Sequence, residues 1–163
     1  YPLQASQMSL ISGFTIGIPG FLLALEPNKE RIRGRFLETV LKNSLPAAIV
    51  DYLAVLVAVY CGHWLGLSPK EISTSSIILL AVVGFTIMYK LIRPLNRIKI
   101  GIMLLNIIGM ILAALLLPRI FNLSGLSIAA ILMTVLLSLL LERLIWFFQF
   151  LTNKAVALYK KRK

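Results

Sequence analysis

An all-α bundle of five transmembrane spans is the fold this sequence predicts, on three observations. Hydrophobic residues make up 59% of the 163 positions and charged ones 14%, against roughly 45–50% and about 25% in soluble domains. The apolar residues gather into five runs, each near the roughly 20 residues a bilayer requires. Lys and Arg sit in short blocks between those runs and are not interleaved with aromatics along one face. The net charge of +11 therefore reports membrane topology and excludes a nucleic-acid partner.

The first span, about 8–25, is apolar yet interrupted. Gly13, Gly17, Pro19 and Gly20 fall where a spanning helix crosses the middle of the membrane. Proline removes an amide donor and crowds the preceding turn, and glycine adds backbone freedom, so a kink or local unwinding is expected. Glu26-Pro27-Asn28 and the basic stretch Lys29 to Arg35 follow. The second span, about 45–67, is led in by an amphipathic stretch from Phe36 to Ser44. Ser68-Pro69-Lys70-Glu71 reads as a polar turn before the third span, about 75–92. Arg93 to Lys99 turns the chain into the fourth, about 100–117. Pro118-Arg119 and Asn122 to Gly125 precede the fifth, about 126–151, and Lys160 to Lys163 close the tail. No loop is long enough to hold a second domain, so residues 1–163 read as a single membrane domain.

Alternating spans put fifteen of the Lys and Arg residues on one side and only Lys70 and Arg119 on the other. Cytoplasmic loops are enriched in these residues. A multi-pass plasma-membrane protein is expected, with Tyr1 outside and the C-terminus in the cytoplasm. The start at Tyr1, without a basic leader, predicts no signal peptide and suggests a piece of a longer chain. Cys61 stands alone and permits no internal disulfide.

Ser9, Ser12 and Thr15 recur every three residues, which on a regular helix gives them one face. With carbonyls freed near Pro19 they would make a neutral, oxygen-rich patch, and oxygen ligands suit hard cations. The bland alternative is that such hydroxyls bond their own backbone or a neighbouring helix. Ser12 and Thr15 are the candidate cation ligands; Gln4 and Gln7 lie toward the outer mouth. Asp51 is the one carboxylate deep in an apolar run, where a charge costs about 2.5–3.5 kcal/mol on insertion scales. It would ligate a cation, relay protons, or serve structure by pairing with Tyr52, Asn106 or a helix elsewhere. Pro46, just before it, would free a carbonyl and bend the second span. Asn106 reads as interhelical glue, Glu142-Arg143 as a snorkelled pair, and Trp64 and Trp146 as interfacial anchors. There is no phosphate-cradling loop, no Cys/His cluster and no nucleophile–base pair, so no catalytic residue is expected in this chain.

Pro2 and Gln7, then Ser12-Gly13-Phe14-Thr15-Ile16-Gly17-Ile18-Pro19-Gly20, run through Leu22-Leu23-Ala24-Leu25 into Glu26-Pro27-Asn28 and a basic loop. This order resembles the sixth transmembrane helix of P-type cation-transporting ATPases, with the rest of the chain corresponding to their last four helices. In calcium-pump relatives the helix reads Asn-Leu-Val-Thr-Asp-Gly-Leu-Pro-Ala. Ser12 would take the Asn position, Thr15 the Thr, and Gly17 and Pro19 the Gly and Pro. Ile16 takes the place of the Asp, an ion ligand in that family. The Gly-Ile-Pro-Gly form ending in Leu-Glu-Pro-Asn is similar to a bacterial branch.

The resemblance implies a C-terminal membrane part of an ATP-driven pump. In it the broken first span would contribute ion ligands while the other spans buttress it. ATP and Mg2+ would bind cytoplasmic domains elsewhere in the parent, and the basic loop from Lys29 to Arg35 would help couple them to the membrane. The partners implied are the bilayer, the remaining helices and those domains. Two other readings stay open: a non-enzymatic membrane subunit, and a fragment of a secondary transporter driven by protons through Asp51.

Overall fold

The computed structural model describes residues 3–25, 36–93 and 95–161. Pro2, Glu26-Pro27-Asn28, the basic stretch Lys29 to Arg35, and Arg162-Lys163 lie outside them. The described chain is helical: α1 (Ala5–Ser12), a π-helical segment (Gly13–Gly17), α2 (Ile18–Ala24), α3 (Phe36–Trp64), α4 (Pro69–Leu91), α5 (Arg97–Leu116) and α6 (Ile128–Lys161). Five stretches among them are long and apolar enough to cross a membrane: Ala5–Ala24, Ser44–Trp64, Pro69–Leu91, Arg97–Leu116 and Ile128–Thr152.

One boundary differs from the sequence reading for a local reason. The third helix begins at Pro69, well before Ser75. Ser68 caps it, accepting from the Glu71 amide while the Glu71 carboxylate reaches back to Ser68. Pro69 stands at the first helical position, where its missing amide costs nothing. The expected turn is thus the helix's first turn. α3, for its part, runs continuously through Pro46.

The core lies between α3, α4 and α6. Val50, Ala54 and Ala58 meet Leu79 and Val83 of α4 and Leu141 and Ile145 of α6. On each helix these residues recur at four-residue spacing, so their ridges interdigitate, and the alanines let backbones come close. α4 is the central element, with 56% of its apolar window buried against 6% for α5. The first span lies along α4, and α5 packs on α2, the π-helical segment and α4.

Side-chain contacts at both ends fix helix directions. At one end Ser73 of α4 bonds Gln7 of α1 at 2.8 Å, and the Ser127 amide, just before α6, donates to Glu71 at 3.0 Å. At the other end Lys90 donates to Gln149 of α6 at 2.9 Å and lies over the Trp146 ring. The first, third and fifth spans therefore run parallel, as alternating crossings require. Lys90, Arg93, Arg97 and Lys99 cluster at the end of α4 and start of α5, the same end as Trp146 and Gln149.

Candidate functional site

The interruption in the first span takes the form of a wide turn rather than an unwound strand. From Gly13 to Gly17 the helix adopts the π register, and the Ile18 amide donates to the Gly13 carbonyl, five residues back. The next donor in that ladder would be Pro19, which has none. A carbonyl oxygen in the Phe14–Thr15 turn is left without its helix partner. Such single π turns inside α-helices recur at functional sites.

Neighbouring glycines make room for the wide turn. A Cβ placed on Gly84 of α4 would lie 2.8 Å from Thr15 Cγ2, and one on Gly109 of α5 would lie 2.7 Å from Phe14 Cε1. Both distances are below ordinary contact. Thr15 and Phe14 are therefore seated in notches that only glycine leaves open. Pro19 is fully buried.

The three hydroxyls each donate to their own helix. Ser9 bonds the Ala5 carbonyl at 3.0 Å, Ser12 the Ser9 carbonyl at 3.4 Å and Thr15 the Ile11 carbonyl at 2.7 Å. A hydroxyl used this way keeps oxygen lone pairs free to accept or to ligate. The residues do not share one surface. Ser9 and Ser12 are exposed, whereas Thr15 is half-buried against α4. Ile16, which the sequence resemblance sets against an aspartate, is 71% exposed.

Asp51 lies elsewhere, in a groove of about 770 Å³ along α3 bordered by Val55, Val59, His63, Met8 of α1 and Leu80 of α4. Its Oδ1 is buried without a hydrogen-bond partner, so neither Tyr52 nor Asn106 pairs with it there. Met8 borders the groove one turn from Ser12. No hydrogen bond described among these residues joins Asp51 to Ser12 or Thr15. Among the described residues no three His, Cys, Asp or Glu side chains converge as a metal cluster.

Two buried polar groups carry more than the sequence reading gave them. Gln7, 1% exposed, accepts from Ser73 and from the Gln4 amide at 2.9 Å and donates to the Asn122 carbonyl at 3.3 Å. With Thr74, which accepts from the Ser124 amide at 3.1 Å, it ties α1, α4 and the loop before α6 together. The run Ser73 to Ser76 at the head of an apolar span was its signal. Asn106 is fully buried at the centre of the inner face of α5. Its Nδ2 donates to the Ile102 carbonyl at 2.7 Å within its own helix, and Oδ1 has no partner. Leaving such an acceptor unmade in an apolar interior costs about 1–3 kcal/mol. It does not bridge helices in the way its sequence position suggested.

No protein-family model matches the chain, and no solved structure matches it. Curated relatives do. It is 30% identical over 108 residues, 64% of its length, to the calcium-transporting ATPase CtpE of Mycobacterium tuberculosis. It is 30% identical over 127 residues, 78% of its length, to the Streptococcus pneumoniae protein named "Probable cation-transporting ATPase exp7". The CtpE protein of Mycolicibacterium smegmatis matches at 30% identity over 98 residues, 58% of this chain. The chain spans only 12–16% of the length of these relatives. A chain with five apolar helices, matching so small a part of cation-transporting ATPases over 58–78% of its length, fits a membrane portion of such an enzyme.

Proposed function

We propose that this membrane segment of a P-type cation-transporting ATPase is its sixth to tenth helices, a single domain over residues 1–163. The segment would contribute one ion-site helix and four supporting ones to ATP-driven cation translocation. The first span would enter from outside and the C-terminus would lie in the cytoplasm, as the Lys and Arg distribution favours. The parent's cytoplasmic domains would bind ATP and Mg2+, and the basic stretch Lys29 to Arg35 would face them. One observation carries the reading: the wide turn at Gly13–Gly17, deprived of a donor by Pro19 and seated on Gly84 and Gly109. Irregular backbone at membrane depth is tolerated where it lines a site, and freed carbonyls at broken helices coordinate cations.

Ser12 and Thr15 are the hydroxyl ligands in this proposal. Removing one oxygen ligand by Thr15→Val, which preserves shape, is expected to raise the half-saturating cation concentration of the full-length ATPase about tenfold, equivalent to about 1.4 kcal/mol. Because the mycobacterial relatives are named calcium-transporting, Ca2+ is the first ion to assay. An unchanged cation dependence removes Thr15 from the site.

A second role is favoured for Asp51 by its unpartnered oxygen in the α3 groove: exchanging a proton or binding a cation. Asp51→Asn keeps the shape and deletes the titrating group. The pH profile of cation-stimulated ATP hydrolysis should flatten; a superimposable profile would leave Asp51 with a structural role only.

A further inference from the structure

We infer that Asn106 of α5 supplies an additional neutral oxygen ligand to the cation bound at the wide turn, making the fourth span part of the ion site. The inference rests on the pump reading above and deepens it. Gly109 accommodates the Phe14 ring, and Asn106, three residues earlier, shares that face of the helix. The first span and α4 run parallel, and the short connection after α4 turns α5 antiparallel to both. Asn106 therefore lies about 4.5 Å further inward than Gly109, at a rise of about 1.5 Å per residue. Since α5 packs on both the π-helical segment and α2, that step carries Asn106 along the first span from Phe14 toward Pro19.

The side chain's own bonding points the same way. Its Nδ2 is spent on the Ile102 carbonyl, and the planar amide turns Oδ1 to the opposite side. Among the described residues, that oxygen has no donor and its residue no solvent exposure. It cannot pair with the freed carbonyl of the Phe14–Thr15 turn, since both are acceptors. A dehydrated cation satisfies both at once, and the Thr15 oxygen with them. The described residues contribute only neutral oxygens here: an amide, a hydroxyl and a main-chain carbonyl. Hard cations accept such a set.

The test uses the full-length pump in proteoliposomes, with ATP hydrolysis titrated by Ca2+ alone and by K+ alone. Thermal unfolding in detergent is followed with and without each ion. Asn106→Leu, which removes the oxygen, is expected to raise half-saturation about tenfold for the stimulating ion and to abolish its thermal stabilisation, with maximal velocity within about twofold. Asn106→Asp, which keeps the oxygen and adds charge, should restore binding and shift preference toward Ca2+ over K+, a readout that a packing role would not move. Should the leucine variant fail to fold, Asn106→Ser is judged by the same two readouts. Wild-type half-saturation in both Asn106→Leu and Asn106→Asp overturns the inference and leaves the pump reading standing. No stimulation of the unsubstituted protein by either ion overturns both.

Discussion

Gly84→Leu should reduce cation-stimulated ATP hydrolysis of the full-length pump below about a tenth of its normal rate, because overpacking a tight contact costs about 1–3 kcal/mol and this contact seats the turn proposed to hold the ion. A Cβ at that position would lie 2.8 Å from Thr15 Cγ2 and 3.0 Å from Thr15 Cβ. Neither atom is the free end of a long side chain. Thr15 is β-branched and its hydroxyl is committed to the Ile11 carbonyl at 2.7 Å, so rotating away breaks that bond. Relief must come from the backbone, by pushing the first span off α4. Gly84→Ala, which adds only the clashing carbon, should give an intermediate rate. The control is Gly101→Ala, where an added Cβ meets nothing within 4 Å and activity should be preserved. Normal hydrolysis in Gly84→Leu would mean that the first span and α4 are not held at this spacing in the working pump.

That contact also shows which parts of the site could be read from the chain alone. Hydropathy and charge located the spans because bilayer thickness and the distribution of Lys and Arg act on composition, whatever the packing. Gly13, Gly17 and Pro19 announced an interruption, since the lost donor is a property of the residue itself. The kind of interruption was not legible. The wide turn packs against Gly84 and Gly109, some 70 and 95 residues downstream, and that contact is not written in the local sequence. The three-residue spacing of Ser9, Ser12 and Thr15 assumed a regular helix, and the wide turn breaks that register. Thr15 faces α4 while Ser12 faces outward. The early start of the third helix was legible in principle. Ser68 and Glu71 at capping-box spacing around Pro69 are a helix N-terminus, and reading them as a turn hid the buried Ser73 to Ser76. Asn106 could not be ranked from sequence, because its importance comes from an oxygen left unpartnered by the packing around it.

Pro19→Ala separates the stability of the first span from its function. Alanine restores an amide, so the ladder that skips from the Ile18 donor can continue and the wide turn can close toward an ordinary α-helix. Removing proline from a helix interior is worth about 3 kcal/mol. The opposing term is smaller: Pro19 is fully buried, and deleting two ring methylenes forfeits about 1.6 kcal/mol, at about 0.8 kcal/mol for each. The helix term wins. The variant should unfold at a higher temperature than the unsubstituted pump, while the restored amide occupies the carbonyl that the ion would use. Half-saturating cation should then rise at least about tenfold, the equivalent of losing about 1.4 kcal/mol of binding. A protein made firmer and a site made weaker by one substitution is the signature of backbone kept irregular for a ligand. If the variant gains thermal stability and keeps its cation affinity, the wide turn is a packing device and the ligand oxygens must be sought on other helices.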